Sequence, residues 1–441
     1  MMTITAKKRI VLTVGTACAT LIVLAAAQRP TEAQSADDAV RFKITSGGRD
    51  LYKMAIPLPL GDKTNATTAE TVLSNDLALS GFFKVLDPAS FLANLQAEQL
   101  IINPPDWRNV GAEGVVKARA TAYGSDVKLE FRLFEVAKGD VPVLSKDYRG
   151  PMAQVRQLVH QFANDVVKYY TGEDGFFASK IVFAAGDGKR KDITVMDWDG
   201  YGATAITKGS QNILPTWSPS GAEIAFTSFV NGKPDLFVVP SSGGRPRMLS
   251  SRPGLNMGAA WSPDGSKIVA TLSQDGNSEL YLLSTSGQII KRLTNDRGID
   301  TSASWSPDGS RIAFVSDRHG SPQIWVMASD GSGQRKLTRR GNYNQEPSWC
   351  PRLDTPQIAF SARDEKFATD IFTINPDTEQ YTRVTEGHGS SVRPTWAPNG
   401  RAIGFERASG IWVSTADGRT ERQVYRGSAK APQWSPSLMK R

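Results

Sequence analysis

Over the C-terminal two-thirds of the chain, apolar and polar residues alternate in short runs, and the runs recur in sets. Lys267-Ile268-Val269-Ala270 and Arg311-Ile312-Ala313-Phe314 have the period of a half-buried strand. A polar hairpin and a second run follow, as in Leu236-Phe237-Val238-Val239, Leu280-Tyr281-Leu282-Leu283 and Ile324-Trp325-Val326-Met327. A Gly-containing turn then leads to an outer strand ending in Leu-Thr, at Leu293-Thr294 and Leu337-Thr338. Asp264-Gly265, Asp308-Gly309 and Gly243-Gly244 supply the positive φ angles that tight hairpins need.

Each set is announced by Trp-Ser-Pro or a near variant. The six tryptophans are Trp217, Trp261, Trp305, Trp349, Trp396 and Trp434, spaced by 44, 44, 44, 47 and 38 residues. A period in this range with four short strands per unit predicts a β-propeller. Strands following the turn begin at Ile181, Ile224, Ile268, Ile312, Ile358 and Ile403, and the first lacks a Trp motif ahead of it. Trp434 in turn has no strand after it. The two orphan halves make one blade if the last segment, Ala431-Pro432-Gln433-Trp434, supplies the inner strand of the blade begun at Ile181, which removes the open edges of the array. The six indoles are structural in this reading, packed between neighbouring sheets.

Upstream the periodicity is mixed. Thr67 to Leu79 reads as an amphipathic helix with Thr67 or Thr68 as N-cap, Phe82 to Leu86 as a strand and Pro88 to Leu95 as a short helix. Val115 to Tyr123, Val127 to Val136 and Val143 to Arg149 alternate as strands, and Met152 to Tyr170 reads as a long helix. The predicted fold is therefore mainly β: a six-bladed β-propeller over residues 176–441, preceded by a small α/β domain over 36–175 whose first residues, 36–48, form an arm. The basic Lys7-Lys8-Arg9 before an apolar run reaching Ala27 marks residues 1–35 as a secretory signal, cut near 27 or 35, with an uncleaved anchor as the alternative.

Chemistry is sparse. Removing the signal leaves Cys350 alone, which excludes an internal disulfide. The formal charge of +8 is spread through mixed-sign surroundings, with no nucleic-acid stripe. His160 reads as a partly exposed helix residue, His319 and His388 as loop residues, and no two of the three have metal-ligand spacing. The chain contains no Gly-x-Ser-x-Gly, His-Glu-x-x-His, phosphate-cradling or Cys-x-x-Cys motif. Propeller peptidases carry a hydrolase domain as well, which is not expected here because the sequence stops soon after Trp434. The Asp of each Ser-Pro-Asp-Gly turn is accounted for by turn geometry. No catalytic residue, cofactor or metal is expected.

The order of parts resembles the TolB family, the periplasmic component of the Tol-Pal system. The likeness rests on the signal, the α/β domain, repeats such as Trp261-Ser-Pro-Asp-Gly265 and Trp305-Ser-Pro-Asp-Gly309, and the arm Val40-Arg41-Phe42-Lys43-Ile44-Thr45-Ser46-Gly47. The resemblance implies a non-enzymatic periplasmic protein, a monomer when free and peripheral to membranes through its partners. It would bind the lipoprotein Pal at the propeller mouth and TolA through Val40, Arg41, Phe42, Lys43, Ile44, Thr45 and Ser46, supporting outer-membrane invagination at division and envelope integrity. Carried over, the loops between outer strands and the next Trp line the Pal mouth: Asn256, Met257, Arg297, Asp300, Thr301, Tyr343, Gln345, Glu346, His388 and Arg393. Thr301 matches a family threonine, but Ser302 stands where an acidic residue can follow it. Two other classes stay open: a propeller sensor of glycan or peptide ligands, and a metal-dependent lactonase-type propeller.

Overall fold

Residues 51–188, 190–363, 368–387, 389–408 and 410–438 are described by the computed structural model. The signal, the arm at 36–48 and His388 lie outside them.

The α/β part begins with strands β1 (Tyr52–Ala55) and β2 (Leu60–Gly61), then helix α1 (Lys63–Leu79) and β3 (Phe83–Val85). Two short helices, α2 (Leu95–Glu98) and α3 (Pro104–Asn109), precede β4 (Gly114–Tyr123), β5 (Asp126–Glu135), β6 (Leu144–Pro151) and α4 (Val155–Thr171). The sheet order is β3-β1-β4-β5-β6, with β2 also on β4. Strand β1 runs parallel to β3 and β4, and β4, β5 and β6 form an antiparallel meander. Helix α1 starts four residues before the expected cap, because Asp62 accepts a hydrogen bond from the Asn65 N–H at 2.9 Å and fixes the first turn. The expected helix over Pro88 to Leu95 is instead a 3-10 turn, Pro88–Ser90, with α2 starting at Leu95. Leu73 and Leu77 of α1 and Val159, Phe162 and Val166 of α4 bury their apolar stripes on the sheet, where Phe162 stacks on Phe131 at 4.2 Å.

The propeller consists of six four-stranded antiparallel sheets. Blade 1 is Ala429–Trp434, Lys180–Ala185, Asp192–Asp197 and Thr204–Ala205, so its innermost strand comes from residues more than two hundred positions downstream of its neighbour. Trp434 pairs with Ile181 and Ala429 with Ala185. Blades 2 to 6 are each contiguous, with innermost strands Asn212–Trp217, Asn256–Trp261, Asp300–Trp305, Asn344–Trp349 and Ser391–Trp396.

One tryptophan sits in each seam between blades: Trp217 between blades 1 and 2, Trp261 between 2 and 3, Trp305 between 3 and 4, Trp349 between 4 and 5, Trp396 between 5 and 6, and Trp434 between 6 and 1. Five are buried and Trp305 is half-buried. The indole N–H of Trp217, Trp305 and Trp396 donates to the carbonyl just before the Trp of the preceding blade, at Gln433, Ala260 and Ser348. Each of these three rings thus fills a seam while its polar edge is satisfied across it, whereas the buried Trp261 Nε1 has no hydrogen-bond partner among the described residues. A polar knot repeats as well. The Thr two residues past an outer strand (Thr294, Thr338 or Thr385) donates to the first or second residue of the third strand (Glu279, Gln323 or Asp370) and accepts the next backbone N–H.

The α/β part meets the ring at its Trp end. Phe176 packs edge-on against Trp434 at 5.4 Å and Trp198 at 5.1 Å, making the α/β core continuous with the seam that closes the ring. Glu173 is clasped by Arg352 of blade 5 at 2.9 Å and Arg401 of blade 6 at 2.6 Å. Arg156 of α4 pairs with Asp199 of blade 1 and lies over Tyr201 at 4.2 Å. One turn along α4, His160 is 2 % exposed, not partly exposed as its place beside the apolar stripe suggests, because its Nδ1 faces Asp76 Oδ2 of α1 at 2.7 Å. Burial pushes the Asp76 carboxyl up to about 6, against the pull of His160. Burial lowers His160, but the Asp76 carboxylate outweighs it and leaves the imidazole above its ordinary value.

Candidate binding mouth of the propeller

At the end of the ring remote from the α/β part, every innermost strand carries the same irregularity. Its third residue is left-handed: Leu214 (φ 52°), Gly258 (64°), Ser302 (56°), Glu346 (59°), Arg393 (55°) and Ala431 (52°). Pairing with the second strand shifts register around each of them. Only one of the six is glycine, and a left-handed non-glycine residue costs about 1–3 kcal/mol. The turned backbone N–H offsets part of this by reaching the preceding blade: Gly258 donates to Thr227 Oγ1, Arg393 to Ser361 Oγ and Ala431 to Glu406 Oε2.

Side chains at this level divide the mouth in two. Blades 5, 6 and 1 carry a charged chain in which Arg393 Nε meets Glu346 Oε1 at 3.0 Å and Arg393 Nη1 meets Glu406 Oε2 at 3.0 Å. Lys430 Nζ meets the other Glu406 oxygen at 2.6 Å. Glu346 is held further by Ser361 Oγ, which donates at 2.8 Å. Leu214, Gly258 and Ser302 of blades 2 to 4 are neutral, as are Met257 and Thr301 beside them. This arrangement offers fixed charges on one side and an uncharged surface on the other.

The expected mouth residues fall into three groups. Met257, Thr301, Gln345, Glu346 and Arg393 lie half-buried on innermost strands, not in loops, and of these Glu346 and Arg393 are in direct contact. Asn256 and Asp300 open their strands but are fully buried. Asn256 accepts from Ser250 Oγ at 2.7 Å and from the Arg252 N–H at 2.9 Å. Asp300 takes Arg318 at 2.8 Å, and its carboxyl is pushed up by burial, against the pull of Ser316 and Arg318. Both therefore brace the connecting loops. Arg297 is exposed in a loop, and Tyr343 lies in a loop beneath the Arg363 guanidinium at 4.2 Å.

Glu406 and Lys430 were missing from the expected set. A signal for Glu406 exists in the sequence: it puts a charge at the strand position filled by Thr227, Thr271, Val315 and Ser361 in other blades. Cys350 is buried beside Arg352, and burial pushes its thiol up to about 11, so it is not a thiolate at neutral pH. Among the described residues no group of three or more His, Cys, Asp or Glu is placed to hold a metal ion, and no helix is long and apolar enough to cross a membrane.

A family model described as the TolB beta propeller domain matches residues 167–438, and one described as the TolB amino-terminal domain matches 40–141. The chain belongs to the TolB family. Relatives named "Tol-Pal system protein TolB" include one from Paramagnetospirillum magneticum, 33% identical over 246 residues, covering 53% of this chain and 54% of the relative. Another, from Myxococcus xanthus, is 38% identical over 222 residues, covering 48% of each. The chain spans about half the length of the curated relatives it matches. The crystal structure of TolB from Acinetobacter baumannii superposes with a TM-score of 0.77 at 25% identity, covering 88% of this chain and 97% of that one. Those relatives are named as proteins of the Tol-Pal system.

Proposed function

We propose that this TolB-family chain is a periplasmic protein that acts by binding and not by catalysis, joining Pal at the propeller mouth to TolA at the arm. The observation that carries the reading is the six-fold left-handed ring with its charged half, Glu346, Arg393, Glu406 and Lys430. Irregular backbone and partly buried charges are costly to fold, and a protein surface that docks on them gives that cost a use. Arg297, exposed in the loop before the innermost strand of blade 4, and Thr301, half-buried on that strand, are further Pal contacts in this proposal. The arm at 40–46, a short mixed basic and apolar stretch, is the TolA-binding segment in this proposal. Joining the two partners supports outer-membrane invagination during division.

Capture from envelope extract tests both ends separately. Arg297→Glu and Thr301→Trp are expected to weaken Pal capture about tenfold with thermal unfolding unchanged, and deletion of 36–47 to abolish TolA capture while sparing Pal. Unaltered Pal capture by both substituted proteins would remove the mouth assignment. Normal TolA capture by the deletion would remove the arm.

A further inference from the structure

Each of blades 2 to 6 has a cross-strand pair at one register position of its second and third strands: Phe226 with Phe237, Ala270 with Tyr281, Phe314 with Trp325, Phe360 with Phe372, and Phe405 with Trp412. In blades 3 to 6 an arginine covers that aromatic surface. Arg292 lies 5.9 Å from Tyr281, Arg318 4.5 Å from Trp325, Arg383 5.7 Å from Phe372 and Arg407 4.6 Å from Trp412. Every one of these guanidiniums also meets a carboxylate of its own blade: Glu279, Asp300, Asp370 and Glu421. Ring and acid hold the cation together.

Blade 2 breaks the pattern. Opposite Phe237 on the outer strand, where Arg292 faces Tyr281 and Arg383 faces Phe372, stands Met248. Asp235, the counterpart of Glu279 and Asp370, is met instead by Asn231 at 3.0 Å and Lys233 at 3.4 Å. No described lysine or arginine lies over Phe226 or Phe237, and a cavity of about 560 Å³ opens on them, walled by Ile206, Val230 and Pro246. Its rim carries Lys208 and Arg245, both exposed and without a hydrogen bond or ion pair to any described residue. On the blade 1 side the cavity is lined by Ala205, at the end of the short outer strand Thr204–Ala205, and by Ile206 and Thr207.

We propose that this slot between blades 1 and 2 docks a partner segment presenting an aromatic side chain flanked by carboxylates. The floor is two stacked rings, 6.0 Å apart, so it takes an apolar or aromatic group in place of the missing guanidinium. A cationic ligand is disfavoured, since Lys233 already sets a positive charge against Asp235 and the rim cations would repel it. Acidic neighbours on the incoming segment would pair with Lys208 and Arg245. The site lies away from Glu346 and Arg393 of blades 5 and 6 and does not rest on the Pal reading.

The test is fluorescence polarisation of labelled Asp-Asp-Phe-Asp-Asp with the folded chain at low salt. Saturable binding is expected, with Lys-Lys-Phe-Lys-Lys inert. The pair Lys208→Glu with Arg245→Glu is expected to weaken binding about tenfold or more. So is Met248→Arg, which restores the cover used by blades 3 and 5, with thermal midpoints unchanged for both proteins. No saturable binding, equal binding of the lysine peptide, or indifference to both sets of substitutions would overturn the proposal. Self-association lost in Met248→Arg, without peptide binding, would assign the slot to a second copy and overturn it too.

Discussion

The two ends of the propeller are built by opposite rules. At the Trp end the same residue type does the same work six times, filling a seam. At the other end the backbone repeats while the side chains do not: the six left-handed positions hold Leu, Gly, Ser, Glu, Arg and Ala. Repetition of side chains marks what the ring needs in order to stand. Repeated backbone with unrepeated side chains marks where the blades differ in what they can bind, since the Glu346–Arg393 pair that links blades 5 and 6 is not repeated at the left-handed positions of the other blades.

The largest effect expected at the Trp end comes from deleting residues 429–441. Blade 1 then loses its inner strand and the α/β part loses the Trp434 contact with Phe176, so urea denaturation should no longer show one cooperative transition near the parent midpoint. A preserved transition would mean the seam is dispensable. Next in size, Trp434→Ala is expected to cost about 3–5 kcal/mol, and Trp305→Ala less because that ring is only half-buried; equilibrium unfolding of both proteins measures the difference. At the mouth, Arg393→Glu sets a third carboxylate against Glu346 and Glu406. It should abolish Pal capture while costing about 1–3 kcal/mol, and a full retention of capture would erase the distinction between the ends.

The smallest predicted effect concerns pH at the joint with the α/β part. His160 and Asp76 are both raised when folded, so their contribution is full below their ordinary values of 6.5 and 3.8 and is lost as pH rises through the folded ones, about 6 for Asp76. Glu173 is the reverse: burial raises it, but Arg401 and Arg352 more than offset this, so its contribution is present above 4.5 and is lost as pH falls through the lowered value. Thermal midpoints should therefore fall on both sides of a maximum. His160→Gln should flatten the alkaline flank and Glu173→Gln the acid flank, each by a few degrees; parallel curves for all three proteins would refute the assignment.

Much of the ring was legible because its signals are local. Trp-Ser-Pro, an alternating strand and a Gly turn each lie within a few residues, and their period supplies the blade number. The α/β helices were legible in type but not at their ends, since Asp62 wins the cap from Thr67 through one hydrogen bond that no periodicity reports. Tertiary contacts hid the rest. Asn256 and Asp300 are polar residues beside a mouth, yet their partners turn them inward. Lys430 comes to Glu406 only because the closing strand lies beside blade 6. His160 is buried by a partner 84 positions away.

The pairing of Trp434 with Ile181 also sets a schedule. A chain made from its N-terminus exposes the strand at Lys180–Ala185 early, and the strand that covers its inner edge, Ala429–Trp434, emerges more than two hundred residues later. Five blades can form from neighbours in sequence, but the first stays three-stranded, with an unpaired edge facing other chains, until synthesis reaches Trp434. Joining segments this far apart is the slow, entropy-laden step of such a topology. Any helper that shields nascent chains of this protein would find its target at that one edge, and a stalled chain lacking the last strand would be the species most prone to aggregate.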